Sequence, residues 1–169
     1  MRRILFVTLA VATMSPLAAL SAPASAQYAE AKSALAAAKK KQSIGTITIP
    51  RLNVKARVYI GITDREFNLG VGQWPGTPKF GKAGNIVLGG HRTSAFRPFE
   101  EIQQLRSGDL IALQSGTKTF RYRVTGRSIV KPTALWITQP TRTPTLTLFS
   151  CHPKGQTTHR YVVRAVLIK

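Results

Sequence analysis

The chain has 169 residues, of which 43% are hydrophobic, so it can bury one core but is too short for two ordinary domains. Its formal net charge of +19 predicts attraction to polyanions without identifying the partner. The 6 Asp and Glu residues are too few for a calcium site of several carboxylates, and the spacings of zinc fingers, basic zippers and RNA-binding modules are missing. We therefore expect no metal, no cofactor and no dedicated nucleic-acid partner.

Residues 1–26 are typical of an export signal. A basic start precedes the mostly apolar residues 4–20, and the Ala-Ser-Ala sequence at 24–26 offers a small-x-small cleavage site. The apolar run is at the short limit for spanning a bilayer, so we expect a cleaved signal, with an uncleaved anchor as the alternative. Both readings predict an exported protein, either extracellular or on the outer face of the cytoplasmic membrane.

Residues 27–43 are rich in alanine and lysine without a clear apolar stripe, which predicts a linker or stalk. From Ile44 onward, short β-branched segments separated by glycine, proline and asparagine predict one all-β barrel or sandwich over 44–169. The predicted strands, in chain order, are 47–49, 55–60, 85–90, 110–114, 118–125, 128–130, 145–151 and 160–168.

Three other stretches do not read as strands. Residues 61–84 hold many glycines and are expected to be mainly loop, with one helical turn near 67–70. Residues 98–105 predict one or two turns of helix, because acidic residues lie in the first turn and apolar residues share one face. Residues 135–137 form a short apolar segment of undetermined conformation.

Cys151, the single cysteine of the chain, is the strongest candidate functional residue. The alternating run from Thr145 predicts a strand that delivers the thiol to its own end, and Pro153 marks where ladder pairing stops. An unpaired thiol in an exported protein indicates catalysis or an intermolecular disulfide, because exported cysteines are usually paired. A small buried side chain without chemistry is the alternative.

Two basic residues are also predicted to lie at the ends of strands, as the thiol is. His91 directly follows the buried strand at 85–90, and Arg160 opens the last strand, which a short loop connects to the cysteine strand. A hairpin would therefore place Arg160 beside Cys151. A thiol with a histidine as proton carrier and an arginine as oxyanion donor could perform acyl transfer.

His152 and His159 compete with His91 for the role of the base. If both strands remain extended there, His152 points to the opposite face from Cys151, and His159 to the opposite face from Arg160. Each histidine could equally be a polar residue without a catalytic role.

At these positions the sequence resembles the sortases, the cysteine transpeptidases that attach proteins to Gram-positive surfaces. The order His, Cys, Arg is specific in combination, and the likeness spans about 44–169. The His-Arg-Thr and Cys-His-Pro sequences are most similar to class E sortases. Three segments carry the resemblance: Gly84–Thr93, Thr145–Pro153 and Arg160–Ala165.

The resemblance implies an eight-stranded β-barrel with one or two short helices, and His91, Cys151 and Arg160 as the catalytic set. It implies cleavage of a Leu-x-x-Thr-Gly-like sorting motif on surface proteins through a thioacyl enzyme. The acyl group would pass to an amine of a cell-wall precursor or of another protein subunit. The chain departs from the family in having Ser150 where threonine usually precedes the cysteine, and in the expected cleavage of its N-terminal segment.

Two other functions compete with this prediction. A secreted cysteine peptidase would use the same nucleophile but transfer the acyl group only to water. A non-catalytic surface module would use the positive charge to bind an anionic polymer of the cell envelope, which is also an expected partner of a transpeptidase.

Overall fold

The computed structural model describes residues 42–94 and 96–168, so the predicted export segment and all but the last two residues of the predicted linker lie outside the described residues. Within the described residues, no helix combines the length and the apolar character needed to cross a membrane. Eight strands close into a barrel in the order β1-β2-β3-β4-β7-β8-β6-β5, which confirms the predicted eight-stranded fold. The strands are β1 Gly45–Ile49, β2 Val54–Ile60, β3 Val71–Gln73, β4 Asn85–Gly89, β5 Leu110–Ser115, β6 Lys118–Val130, β7 Thr145–His152 and β8 His159–Leu167.

Helical structure is sparse in the described part of the chain. One α-helix, α1, spans Asp64–Leu69, and single 3₁₀ turns occupy Pro50–Leu52, Ile102–Gln104 and Leu135–Thr138. The helix prediction for 98–105 is therefore correct only for its second half, because residues 98–101 form turns without a continuous helical ladder.

Side-chain alternation along the strands separates the barrel interior from an outer apolar cluster. On β7, Leu146 and Leu148 are fully buried in the interior, whereas Phe149 belongs to a second cluster on the outer face. The same alternation places Val163 inside and Val162 outside on β8. The outer face of β4, β7 and β8 is thus covered rather than solvated, and this cover forms the candidate site.

The stretch 61–84 holds more regular structure than predicted. The helical turn predicted near 67–70 overlaps α1, which begins earlier, and the short strand β3 was not predicted. The helix begins with a capping box, in which the Thr63 and Glu66 side chains satisfy each other's backbone N–H groups. β3 pairs in parallel with β2 and antiparallel with β4, and its three residues are all buried. Three residues are too few to show a strand period in a sequence, which explains why β3 was not predicted.

β6 is one strand of 13 residues, whereas the sequence predicted two strands that meet at Gly126. Its pairing with β8 shifts register between Val124 and Gly126, so the predicted break exists as an irregularity inside a continuous strand. The long strand carries the chain from the barrel wall to the loop 131–144, which forms one side of the candidate site.

Candidate active site

Three neighbouring strands bring the predicted residues together. β4 and β7 run parallel, with Gly89 opposite Phe149, so the chain leaving β4 reaches His91 beside the end of β7. β7 and β8 run antiparallel, and Cys151 is the direct partner of Arg160. Because side chains of directly opposed residues point to the same face, the thiol and the guanidinium both face outward. β7 continues one residue beyond Cys151, to His152.

The three residues line one cleft of about 380 Å³ on the outer face of the barrel. Its walls come from α1 and the residues flanking it, from the loop 131–144, and from the β7–β8 loop. The lining residues are Ile62, Asp64, Phe67, Trp74, Gly90, His91, Pro132, Ala134, Leu135, Ile137, Phe149, Ser150, Cys151, Thr157 and Arg160.

His91 is held mainly by α1. The edge of its ring meets Phe67, with ring centroids 5.3 Å apart, and its Nε2 lies 3.8 Å from Asp64 Oδ1. The Asp64 side chain is 90% exposed, so water weakens its contact with His91, and the aromatic contact does more to orient the imidazole. Neither α1 residue was predicted to have a role in the site.

The Arg160 guanidinium is fixed by its own loop. Its Nη1 donates to the carbonyl oxygens of Thr157 and His159, both at 2.9 Å. An arginine offers five N–H donors in one plane. Neither Nε nor Nη2 has a hydrogen-bond partner among the described residues, so these donors remain available on the side chain that lines the cleft.

A buried arginine, Arg92, contacts the backbone of the predicted nucleophile. Arg92 is only 4% exposed and donates from Nη1 to the carbonyl oxygen of Cys151 at 3.2 Å. Its Nε donates to the Glu100 carbonyl at 3.2 Å, and its Nη2 to Gln103 Oε1 at 2.6 Å. Arg92 therefore ties the loop that carries the predicted base to the residue that carries the predicted nucleophile.

Ser150, the residue that departs from the family pattern, makes a second tie between the same two segments. Its side chain is buried, and its hydroxyl donates a short hydrogen bond to the carbonyl oxygen of Gly90. The hydroxyl kept at this position thus joins the residue before His91 to the residue before Cys151.

Aromatic rings form the floor of the cleft. Phe149 meets Trp74 and Phe67 edge to face, with centroids 6.0 and 6.5 Å apart. These rings approach the backbone of β4 closely, since a Cβ at Gly89 would lie 2.5 Å from the Phe149 ring. A glycine is therefore required there, and the floor accepts an apolar side chain better than a charged one.

A buried amide anchors the loop 131–144 over the barrel. Asn85 Nδ2 donates to the carbonyl oxygens of Ile137 and Gln139 at 2.8 and 3.1 Å. Its Oδ1 accepts a hydrogen bond from Thr147 Oγ1 at 2.7 Å. This anchor holds Ile137 against the outer apolar cluster, while Leu135 remains 62% exposed at the mouth of the cleft.

The two competing histidines do not line the cleft. His152 instead has its Nδ1 3.3 Å from Arg92 Nη1 and its ring beside Tyr161. Loss of hydration, helped by the positive charge of Arg92 and by His159, lowers the pKa of His152. His159 has its Nδ1 3.2 Å from the hydroxyl of Thr158. Their placement away from the cleft agrees with the alternation predicted for the two strand ends.

A closed β-barrel that presents a thiol, an imidazole and a guanidinium in one outward cleft has the groups of a cysteine-dependent acyl transferase. The chain belongs to the sortase family: the model of the Sortase domain matches residues 47–168. Sortases are cysteine transpeptidases, and the match confirms the family resemblance read from the sequence.

Similar proteins come from several branches of this family. Sortase A of Bacillus anthracis is 32% identical over 139 residues, covering 82% of this chain and 66% of that protein. Sortase E from Streptomyces avermitilis superposes with a TM-score of 0.70 at 29% identity, covering 76% of this chain and 89% of that one. A lid mutant of sortase A from Corynebacterium diphtheriae gives a TM-score of 0.73 at 25% identity, covering 77% and 72%. The chain spans slightly under two thirds of the length of the curated relatives it matches.

Proposed function

We propose that this protein is a cysteine transpeptidase that cleaves a Leu-x-x-Thr-Gly-like sorting motif and transfers the acyl part to an amine. The observation that supports this proposal best is the shared cleft of His91, Cys151 and Arg160, on a chain that belongs to the sortase family. Each of the three residues has a chemical role that its position permits.

The reaction begins when His91 takes the proton of the Cys151 thiol. The thiolate attacks the carbonyl carbon between threonine and glycine, and the charge that develops on oxygen is stabilised by donors of Arg160. His91 returns the proton to the glycine nitrogen as the C–N bond breaks, which leaves a thioester on Cys151. An acceptor amine then attacks the thioester and gives a proton to His91, and the C–S bond breaks. His91 returns this proton to the sulfur of Cys151, and the new amide leaves.

The lining of the cleft fits the apolar residue of such a motif. Phe67, Trp74 and Phe149 supply an aromatic surface that can bury the motif's leucine. Full burial of a leucine side chain contributes about 1.5–3 kcal/mol. Arg160, which would bind the oxygen of the scissile carbonyl, lies on β8, and β8 pairs with the strand that carries Phe149. The leucine of the motif and its scissile carbonyl would therefore occupy adjacent parts of one cleft.

The sequence alone supports our proposals for the sortase class, the export segment, the partners and the location of the protein. We propose that the chain is of class E type, on its His-Arg-Thr and Cys-His-Pro sequences, and that residues 1–26 export it and 27–43 form a stalk. Its partners would then be surface proteins that carry the motif, and an amine of a cell-wall precursor or of another protein subunit. The enzyme would act outside the cytoplasm or on the outer face of its membrane.

Intact-mass measurement with a sorting-motif peptide tests the proposal. The wild-type protein should gain the mass of the acyl fragment, and Cys151→Ala should not. His91→Ala should slow formation of this adduct, whereas His159→Ala, which removes a histidine outside the cleft, should leave the rate near that of the wild type. An adduct that persists in Cys151→Ala would remove the thiol from the mechanism, and acyl transfer only to water in the presence of added amines would favour a peptidase.

A further inference from the structure

Strand register places four basic residues in two columns on the outer surface of the barrel. In one row of the sheet Lys55 lies opposite Thr48, Thr48 opposite Ala112, and Ala112 opposite Arg121. Directly opposed residues share a face, so this whole row points outward. Lys55 stands on β2 and Arg121 on β6, with the two central strands β1 and β5 between them.

The two neighbouring rows each add one basic residue, on opposite sides: Arg57 lies opposite Thr46 on β1, and Arg123 lies opposite Leu110 on β5. Arg57 lies two residues beyond Lys55 on β2 and therefore on the same face, and Arg123 does the same relative to Arg121 on β6. Between the two columns the side chains carry no charge. We call this surface the basic strip; it consists of the walls Lys55, Arg57, Arg121 and Arg123 and the floor Thr46, Thr48, Leu110, Ala112 and Gln114.

The basic strip is exposed and its charges are not neutralised. All four wall residues are exposed, and no carboxylate among the described residues forms an ion pair with any of them. Strands lie about 4.8 Å apart, so three steps separate the columns by about 14 Å. A chain lying along the middle would be about 7 Å from each column, within the Debye length of about 8 Å at physiological ionic strength.

Barrel order sets the basic strip opposite the cleft. The floor strands β1 and β5 are neighbours in the closed ring, and β4 and β7 occupy the other side of it. A partner on the basic strip would therefore leave the cleft open, and the inference rests on the barrel surface rather than on the proposed transpeptidation.

We propose that the basic strip binds a linear polymer of the cell envelope that bears a phosphate in each repeat. A backbone phosphate presents oxygens to both sides of the chain, which suits two staggered columns that face each other at Lys55 and Arg121 and extend in opposite directions to Arg57 and Arg123. Between the columns there is no aromatic side chain on which a nucleic-acid base could stack. Leu110 is the one large apolar side chain among the residues named here, and a single leucine gives too little apolar area to anchor the surface in a bilayer.

Binding of inorganic polyphosphate to the full chain tests this site. The strip variant carries four substitutions, and a matched control removes the same charge from exposed residues elsewhere. The strip variant is Lys55→Gln, Arg57→Gln, Arg121→Gln and Arg123→Gln; the control is Lys79→Gln, Lys82→Gln, Arg106→Gln and Arg127→Gln.

We expect the strip variant to bind polyphosphate at least tenfold more weakly than wild type, and the control less than threefold more weakly. The slope of log affinity against log salt should fall by about 3 in the strip variant, since each lost phosphate contact removes about 0.7–0.9. Both variants should melt near the wild-type temperature and transfer a short peptide at the wild-type rate.

Three outcomes would overturn the proposal. Equal loss in both variants would show that only net charge matters. Unchanged polyphosphate binding in the strip variant would exclude the site. Tighter wild-type binding to single-stranded DNA or to vesicles of anionic phospholipid than to polyphosphate, with the strip variant losing that binding, would assign the surface to a different partner.

Discussion

Replacing Arg92 by methionine should destabilise the protein strongly, although the residue lies outside the cleft. Methionine retains much of the apolar volume but leaves three acceptors, on Glu100, Cys151 and Gln103, without their donor. A buried acceptor without a partner costs about 1–3 kcal/mol. Since all three acceptor residues are partly exposed and can recover water, we expect a net loss of about 3 kcal/mol in the free energy of unfolding.

The matched control is Arg97→Met, which removes the same charge from the same loop. Arg97 pairs with Glu100 at 2.6 Å but is 51% exposed, and such surface pairs contribute less than about 1 kcal/mol. Urea unfolding followed by tryptophan fluorescence measures both variants. A difference of less than about 0.5 kcal/mol between them would refute the reasoning, because it would mean that the buried guanidinium stabilises the protein no more than a surface one.

Three further predictions concern the cleft and its support. Arg160→Lys should keep the fold but lower kcat/KM for transpeptidation by roughly a hundredfold or more, the scale of one lost oxyanion donor. The control Arg164→Lys should stay near wild type, and equal rates in the two variants would remove Arg160 from the mechanism. Ser150→Ala leaves the Gly90 carbonyl without its donor and should lower the free energy of unfolding by about 1–3 kcal/mol in urea titrations, and an unchanged value would contradict the tie. The lowered pKa of His152 means that the native state binds fewer protons than the unfolded one, so the free energy of unfolding should fall as the pH drops from 7 to 5. This decline should be smaller in His152→Gln, and an equal decline in the variant would contradict a role of His152.

The strands that carry the site were predictable because their sequences alternate. The run from Thr145 to Cys151 has a clear period of two, and its parity alone distinguishes Cys151 from His152. The hairpin partner Arg160 followed from the short connection between the strands. These two local rules, together with the family resemblance, were enough to gather three residues that are up to 69 positions apart in the chain.

The walls of the cleft and its support were not predictable in the same way. Asp64 and Phe67 reach the cleft because a capping box starts a helix in a stretch that reads as loop. Arg92 is buried by contacts with residues 8 to 60 positions away, and nothing in its neighbours' sequence distinguishes it from the exposed arginines. Loop 131–144 is held over the barrel by hydrogen bonds from the side-chain amide of Asn85. These bonds join segments that are distant in the sequence, so the sequence around Asn85 does not predict them.

Closure of the barrel limits how an extended peptide can be recognised. Each of the eight strands, in the residues that the structure describes, has a neighbour on both sides over part of its length, and unpaired edges remain in short stretches such as 125–130 of β6. A peptide substrate of the proposed transpeptidase would therefore find no strand whose whole edge is free, unlike a peptide that binds to an open sheet. Loop groups and side chains such as Thr157 and Arg160 line the cleft, so exchanging the loops should change the preferred peptide while the barrel stays the same.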